Sequence, residues 1–345
     1  MKGRATNIAG LVLNAFMILG SLPAWPQRPT TAPPPYISSV AWSPDGTRLA
    51  TGSNDSTTKI WEIKTGRELF RLNGLSGSVL SIAWSHDGKR LATGSFDNTA
   101  RLWEARNGLQ ILNLDVDTRP VWSIAWSPDD KRLATGSVGH SAMVWNAETG
   151  KNLLSLNRYD VHGMSWSPDG KRLAMGGEEA TAGVWDSETG KQLLLLHGRT
   201  GQVSSVAWSP DGNKLATGSL EQIVKVWSAE TGTELLALTG LRGGTASVAW
   251  SPDGKRLALG GEAGQIRDAE TGKELLILPA AHGVLSVSWS PDGTQIATGE
   301  GCNVITIWDA KTGKQVMTLD GWLRTVHGCG TFTDKNPSRM PTPYP

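Results

Sequence analysis

Tryptophan recurs in this chain at a spacing too regular for an ordinary globular sequence. Trp42, Trp84, Trp126, Trp166, Trp208, Trp250 and Trp289 each end a short apolar run and precede Ser-Pro-Asp-Gly or a close variant, at intervals of 42, 42, 40, 42, 42 and 39 residues. A second series stands 19 residues after these, at Trp61, Trp103, Trp145, Trp185, Trp227 and Trp308, with the sixth member missing. A third marks the next corner: Thr65-Gly66, Asn107-Gly108, Thr149-Gly150, Thr189-Gly190, Thr231-Gly232, Thr271-Gly272 and Thr312-Gly313. Such a period means one supersecondary unit that cannot bury its own apolar faces and must stack on its neighbours.

Each copy reads as four short strands with turn chemistry between them. In the second copy these are Val79 to Ser85, the His86-Asp87-Gly88 turn, Arg90 to Gly94, the Phe96-Asp97-Asn98 turn, Thr99 to Glu104, the Asn107-Gly108 turn and Gln110 to Leu114. Asp-Gly and Thr-Gly supply the positive φ that hairpin corners need. Carboxylates such as Asp45, Asp169 and Asp211 are therefore read as turn residues on one rim rather than as calcium or acid-base sites. In the first strand, period-two alternation predicts Leu80, Ile82 and Trp84 on one face and Val79, Ser81 and Ala83 on the other. The thirteen tryptophans of the two series are assigned to the core.

The composition fits tight turns alternating with strands that bury aromatics: 41 Gly and 16 Trp in 345 residues. Lys plus Arg number 33 against 32 Asp plus Glu, so the basic footprint of a nucleic-acid binder is absent and no such partner is expected. The two cysteines, Cys302 and Cys329, provide neither a disulfide framework nor zinc-ligand spacing; two free thiols or one bridge remain open.

From Tyr36 to Leu319 the sequence resembles the WD-repeat family. The resemblance implies an all-β, seven-bladed β-propeller with four antiparallel strands per blade; it is specific for fold and weak for function. The family's buried hydrogen-bonded set of His, Ser or Thr, Asp and Trp is incomplete throughout. Nine residues before each first-strand Trp, the His position holds Pro33, Leu75, Asp117, Asn157, Arg199, Leu241 and Ala280. A half-satisfied buried network is worse than none, so the packing is expected to be rebuilt without it, leaving Asp55 and Asp97 as turn formers only. In the sixth copy Leu257 to Arg267 is two residues shorter than Leu215 to Trp227, and Arg267 falls where Trp belongs. That blade is expected to be the weak one, by about 3–5 kcal/mol if the space stays empty.

Ring closure is expected without N-terminal strand exchange, by side-chain packing alone. The first copy opens with an innermost strand near Tyr36, the seventh ends with Gln315 to Leu319, and the preceding segment carries Pro26, Pro29, Pro33, Pro34 and Pro35. Proline cannot donate to a sheet ladder. Residues 25–35 are thus a Pro-rich linker and 36–319 the propeller. Residues 320–345 are a degenerate eighth-repeat fragment, with Phe332 near its Trp position, followed by a loose tail. At the other end, Lys2 and Arg4 ahead of the apolar stretch Ile8 to Leu22, then Pro23 and Ala24, have the shape of a secretory signal peptide. Residues 1–24 are expected to be that signal, or a retained anchor and then the only membrane contact. The protein is placed outside the cytoplasm, with a mis-set start on a cytoplasmic protein as the alternative.

The sequence has no phosphate-binding loop, dinucleotide fingerprint, nucleophile elbow or helical zinc motif. His86, His140, His162, His197, His282 and His327 are scattered without metal-ligand spacing. No catalytic residue, metal or cofactor is assigned. The resemblance instead points to the top rim, where the corresponding positions include Tyr36, Leu80, Phe96, Trp122, Val138, His162, Leu220 and Leu285, with Ser38, Gln202 and Ser204 among the rest. Leu80, Phe96, Trp122 and Val138 are expected to form one patch, with Trp122 alternatively packed at the mouth of the channel. The reading is a non-enzymatic scaffold for a protein or peptide. The alternative, a propeller enzyme or small-ligand sensor using the central channel, requires a polar, ligand-sized axial pocket.

Overall fold

The computed structural model describes residues 35–320 apart from 117–118, 138–140, 158–159, 178–180, 198–200 and 242. The N-terminal segment, almost all of the linker, the eighth-repeat fragment beyond residue 320, Val138 and Cys329 lie outside the described residues. Twenty-eight strands form seven four-stranded antiparallel sheets, each taking its strands in chain order. In blade one these are Ile37–Trp42, Arg48–Ser53, Thr58–Glu62 and Arg67–Leu72. The first strands face the axis and the fourth form the circumference. No described helix is long and apolar enough to cross a membrane.

The two tryptophan series do different jobs. All thirteen are buried. A third-strand Trp serves its own blade: Trp61, Trp103, Trp145, Trp227 and Trp308 donate from Nε1 to the threonine hydroxyl ten residues earlier, at 2.8–2.9 Å. A first-strand Trp ties its blade to the one before. Trp84, Trp126, Trp166, Trp208, Trp250 and Trp289 donate to the preceding blade's Ala41, Ala83, Ala125, Ser165, Ala207 and Ala249 carbonyls at 3.0–3.2 Å. On the ring of that same Trp the preceding blade lays an arginine: Arg48, Arg90, Arg132, Arg172 and Arg256 stand 4.5–4.8 Å from the indole centroids of Trp84, Trp126, Trp166, Trp208 and Trp289. Each such contact is worth about 0.5–2 kcal/mol, more where water is excluded.

A third device rings the axis. The serine three places before each first-strand Trp accepts a backbone N–H from the next blade, as Ser39 does from Ile82, Ser81 from Ile124 and Ser286 from Val40, at 3.1–3.2 Å. Blade four breaks the series with Gly163, where a Cβ would stand 2.8 Å from the Ser205 Cα. The chain approaches too closely there for any side chain.

Among the described residues, ring closure uses no exchanged strand. Ile37, Val40, Trp42 and Leu49 of blade one pack on Ala297, Ile305, Ile307 and Leu319 of blade seven. Packing is not alone, however. A single β-bridge joins Tyr36 to Gly301, and Asn303 accepts from Ser53 Oγ (2.9 Å) and donates to Asp55 (3.0 Å).

The rebuilt polar set also departs from expectation at Asp97. Beyond holding its own turn through Thr99, Asp97 accepts from the Ser76 N–H (3.1 Å) and hydroxyl (3.2 Å) and pairs with Arg101 at 3.2 Å. Ser76 takes over the loop-anchoring work of the missing His. Asp55, tied to Asn303, likewise joins two blades, so neither carboxylate is only a turn former. Nor is blade six left with a void: Arg267 is 9% exposed, its guanidinium bonded to Gln265 (2.7 and 3.1 Å) and paired with Glu274 at 3.2 Å. Its stem replaces indole volume while the charge is neutralised. That blade is short rather than hollow, its first two strands reduced to Val248–Trp250 and Arg256–Leu259.

The turn carboxylates behave as corner residues. Asp45 Oδ1 accepts from Ser43, from the Thr47 N–H and from the Thr47 hydroxyl. Burial works to raise its pKa, but these bonds and the Arg48 charge hold it below the ordinary value. One corner is altered in a compensated way. Elsewhere a Gly such as Gly88 (φ 68°) packs on a Pro of the preceding blade, here Pro44. Between blades two and three the Pro is His86 and the Gly is Asp130, whose carboxylate accepts both the His86 and Asp87 N–H groups at 2.7 Å.

Candidate functional site

The first strands are not regular, and their irregularity builds the site. Six carry a β-bulge at the same place. In blade one Ile37 pairs with Ser53 and Ser39 with Gly52, leaving Ser38 as the extra residue. The same register shift leaves out Leu80, Trp122, His162, Ser204 and Leu285 in blades two, three, four, five and seven. A bulge re-aims the side chain of its extra residue. All six line one cavity of about 320 Å³ at the mouth of the axial channel.

The bulge corrects the simple alternation expected for the first strand. Val79 is buried with Ile82 and Trp84, whereas Leu80 is half exposed and turned to the cavity. Tyr36, Leu80, Trp122, His162, Leu220 and Leu285, inferred from the sequence as rim positions, all line this one space. Phe96 does not line it and stands 37% exposed on the surface. Val138 lies outside the described residues. Trp122 is both half exposed and at the channel mouth.

The cavity has two polar sides separated by apolar wall. On one, the Gln202 amide nitrogen lies 2.6 Å from His162 Nε2 and donates to it, which puts the proton of the neutral imidazole on Nδ1. Burial pushes His162 below its ordinary pKa, with the Asp160 charge working in the opposite direction. The Trp122 ring meets the His162 ring edge-on, centroids 5.4 Å apart at 68°. Across the ring, at blades seven and one, stand Tyr36, its phenol pushed up by burial, and His282, its imidazole pushed down by burial. Leu80 and Trp122 on one flank, with Leu220 and Leu285 on the other, make the walls. His282 was missed because a scattered histidine in a loop carries no pattern.

A second hollow, about 610 Å³, lies between blades four and five. Its cation, Arg172, is already engaged with the Trp208 ring and the Ala229 carbonyl at 2.8 Å, so the hollow repeats ordinary blade-to-blade architecture. Among the described residues no cluster of His, Cys, Asp or Glu could hold a metal ion. The circumference exposes one aliphatic residue at the same fourth-strand position of every blade, from Leu69 to Val316. These are spread around the ring rather than gathered, and scattered exposed aliphatics carry no functional meaning.

The family model described as "WD domain, G-beta repeat" matches residues 28–62, 66–104, 109–146, 150–186, 190–228 and 272–309. A propeller with this architecture and these repeats is a WD-repeat protein, and the chain belongs to that family. The unmatched stretch between residues 228 and 272 is the copy in which Arg267 replaces Trp. WD-repeat propellers typically serve as scaffolds for protein interaction.

Proposed function

We propose that this chain is a non-enzymatic scaffold that docks a segment of a protein or peptide over the mouth of its axial channel, outside the cytoplasm. One observation carries the reading: six β-bulges at equivalent positions turn six side chains of four chemical kinds into a single cavity. Identical repeats would give a ring of identical residues. Serine, leucine, tryptophan and histidine instead break the symmetry, as a site with a directional partner requires. Export is supported by the start of the sequence, where Lys2 and Arg4 precede the apolar stretch Ile8 to Leu22.

The test is partner recovery with the parent and with Trp122→Ala, fold being checked by circular dichroism. Recovery should fall at least about tenfold, the loss typical of an aromatic anchor; unchanged recovery with an intact fold would sink the assignment. The mass of the mature N-terminus decides the compartment. A second reading, a small-ligand sensor, gains from the presence of an axial cavity with Tyr36, His162, Gln202 and His282 on its wall. Saturable binding of a small molecule without any peptide contact would favour it.

A further inference from the structure

The chemistry of the cavity restricts what can enter it. Among the described residues that line it there is no Asp, Glu, Lys or Arg. The bulge serines have already committed their hydroxyls: Ser38 donates to the Gly52 and Val79 carbonyls, and Ser204 to those of Gly218 and Thr245. The serines that follow the bulge residues, Ser39, Ser81, Ser123 and Ser205, each accept a backbone N–H of the following blade. A charged group entering here would lose hydration and find no charged side chain on the described wall, Asp160 acting on His162 from outside that lining, an arrangement costing several kcal/mol. A purely aliphatic group would satisfy the leucines and leave the His162–Gln202 pair and the Tyr36–His282 side without a partner.

The size is equally restrictive. About 320 Å³ is at the lower end of the roughly 300–1,000 Å³ of ligand pockets. It admits one large side chain from a loop or terminus and excludes a folded surface. The Trp122 and His162 rings already stand edge to face, and a third ring extends such a cluster in an offset or perpendicular geometry.

We infer that the cavity receives a single uncharged aromatic side chain with a polar tip, tyrosine fitting best, presented by a loop or terminus of the partner. This rests on the rim-docking reading above and specifies its ligand. The ring of the guest lies between the Leu80–Trp122 flank and the Leu220–Leu285 flank, and its hydroxyl meets one of the two polar sides.

The experiment is selection from a random-peptide phage library on the folded parent chain and on Ala246→Phe. Ala246 lines the cavity and has no side-chain hydrogen bond to lose, so phenylalanine there fills the space without breaking a contact. Matching circular dichroism and melting curves show that the variant folds. The parent should enrich peptides that share one tyrosine or other uncharged aromatic, and Ala246→Phe should not. In fluorescence anisotropy with a labelled selected peptide, replacing that residue by Arg or Glu should weaken binding roughly a hundredfold, and Tyr by Phe about tenfold.

Peptides that require the cavity but share Arg, Lys or an acidic residue overturn the inference and leave rim docking standing. Peptides that bind parent and Ala246→Phe equally overturn rim docking itself, and a selection without any cavity-dependent binder counts against both. Parent dimers in light scattering that Ala246→Phe abolishes would make a second copy of this chain the occupant and overturn the inference.

Discussion

The junction between blades seven and one differs from the six junctions between consecutive blades. Each of those six carries an indole N–H donated to the preceding blade's carbonyl, and five add an arginine stacked on the same indole. The closing junction has neither. Trp42 Nε1 is buried without a hydrogen-bond partner, and the position that supplies arginine elsewhere holds Gln295. The other buried side-chain polar atom without a partner among the described residues, Thr58 Oγ1, also belongs to blade one. What this junction keeps is the serine contact, Val40 N–H to Ser286, and the apolar seat of Ile37 and Val40. It adds the Tyr36–Gly301 bridge and the Asn303 contacts. Packing therefore closes the ring, and locally specific polar contacts replace the devices that the repeat writes into every other junction.

The sharpest way to break this comparison is to remove the same indole nitrogen at both kinds of junction. Trp84→Phe takes the donor from the part-buried Ala41 carbonyl and shrinks the ring under Arg48, whereas Trp42→Phe deletes a donor that serves nothing. The volume lost is the same. The first variant should be the less stable by about 1–2 kcal/mol, from a lost hydrogen bond and a weakened cation–π contact. Urea unfolding of the two proteins side by side measures it, and equal losses would show that the closing junction is not distinct.

Most of the fold was legible because it is written in repetition. The two tryptophan series and the Asp-Gly and Thr-Gly corners gave blade number, strand number and strand order, and even the absence of strand exchange followed from where the copies begin and end. The cavity was legible only as a set of rim positions. A bulge adds one residue to one strand without changing the distance between Trp42 and Trp84, so alternation put Leu80 on the wrong face and hid the convergence of six side chains. Compensation was hidden for the same reason: His86 and Asp130 are 44 residues apart, and Arg267 looks like a lost Trp until Gln265 and Glu274 are found around it. The Arg48 stack did leave a signal, a basic residue six places after most first-strand tryptophans, which counting alone could have found.

A second test uses acid. Four other blades end the second strand in serine, at Ser53, Ser95, Ser137 and Ser219, whereas blade seven ends it in Glu300, 1% exposed between Gly299, which packs on Ile37, and Gly301, which bridges to Tyr36. Burial raises the Glu300 pKa, against hydrogen bonds from Thr306, Thr298 and the Ala281 backbone that lower it. The folded state thus binds this proton more tightly than the unfolded chain. Its stabilising effect is full below the ordinary carboxylate range and is lost as pH rises through the folded pKa. Glu300→Gln keeps an acceptor for the Thr298 hydroxyl and removes the ionisation. The variant should match the parent in acid and exceed it at neutral pH, in unfolding curves taken across that window. A parent whose advantage over the variant grows with pH would reverse the assignment.

The smallest expected effect comes from restoring what the repeat omits. Gln295→Arg places a guanidinium where Arg48, Arg90, Arg132, Arg172 and Arg256 stand in their own blades. Those residues also donate to the carbonyl two places after the next blade's third-strand Trp, as Arg90 does to Ala147 at 3.0 Å and Arg256 to Ala310 at 2.8 Å. The corresponding groups in blade one are the Trp42 ring and the Ile63 carbonyl. A cation over an aromatic face contributes about 0.5–1 kcal/mol at a partly exposed site, and the melting temperature should rise accordingly. The reverse change, Arg90→Gln, should cost more than the gain, because it also strips a donor from carbonyls already shaped to receive it, those of Ala147 and Asp130. If Gln295→Arg gains nothing while Arg90→Gln is costly, then the closing junction has a spacing of its own that no longer accepts the repeat's contact. The polar contacts made by Asn303 would then be the cause of the difference between the junctions rather than its remedy.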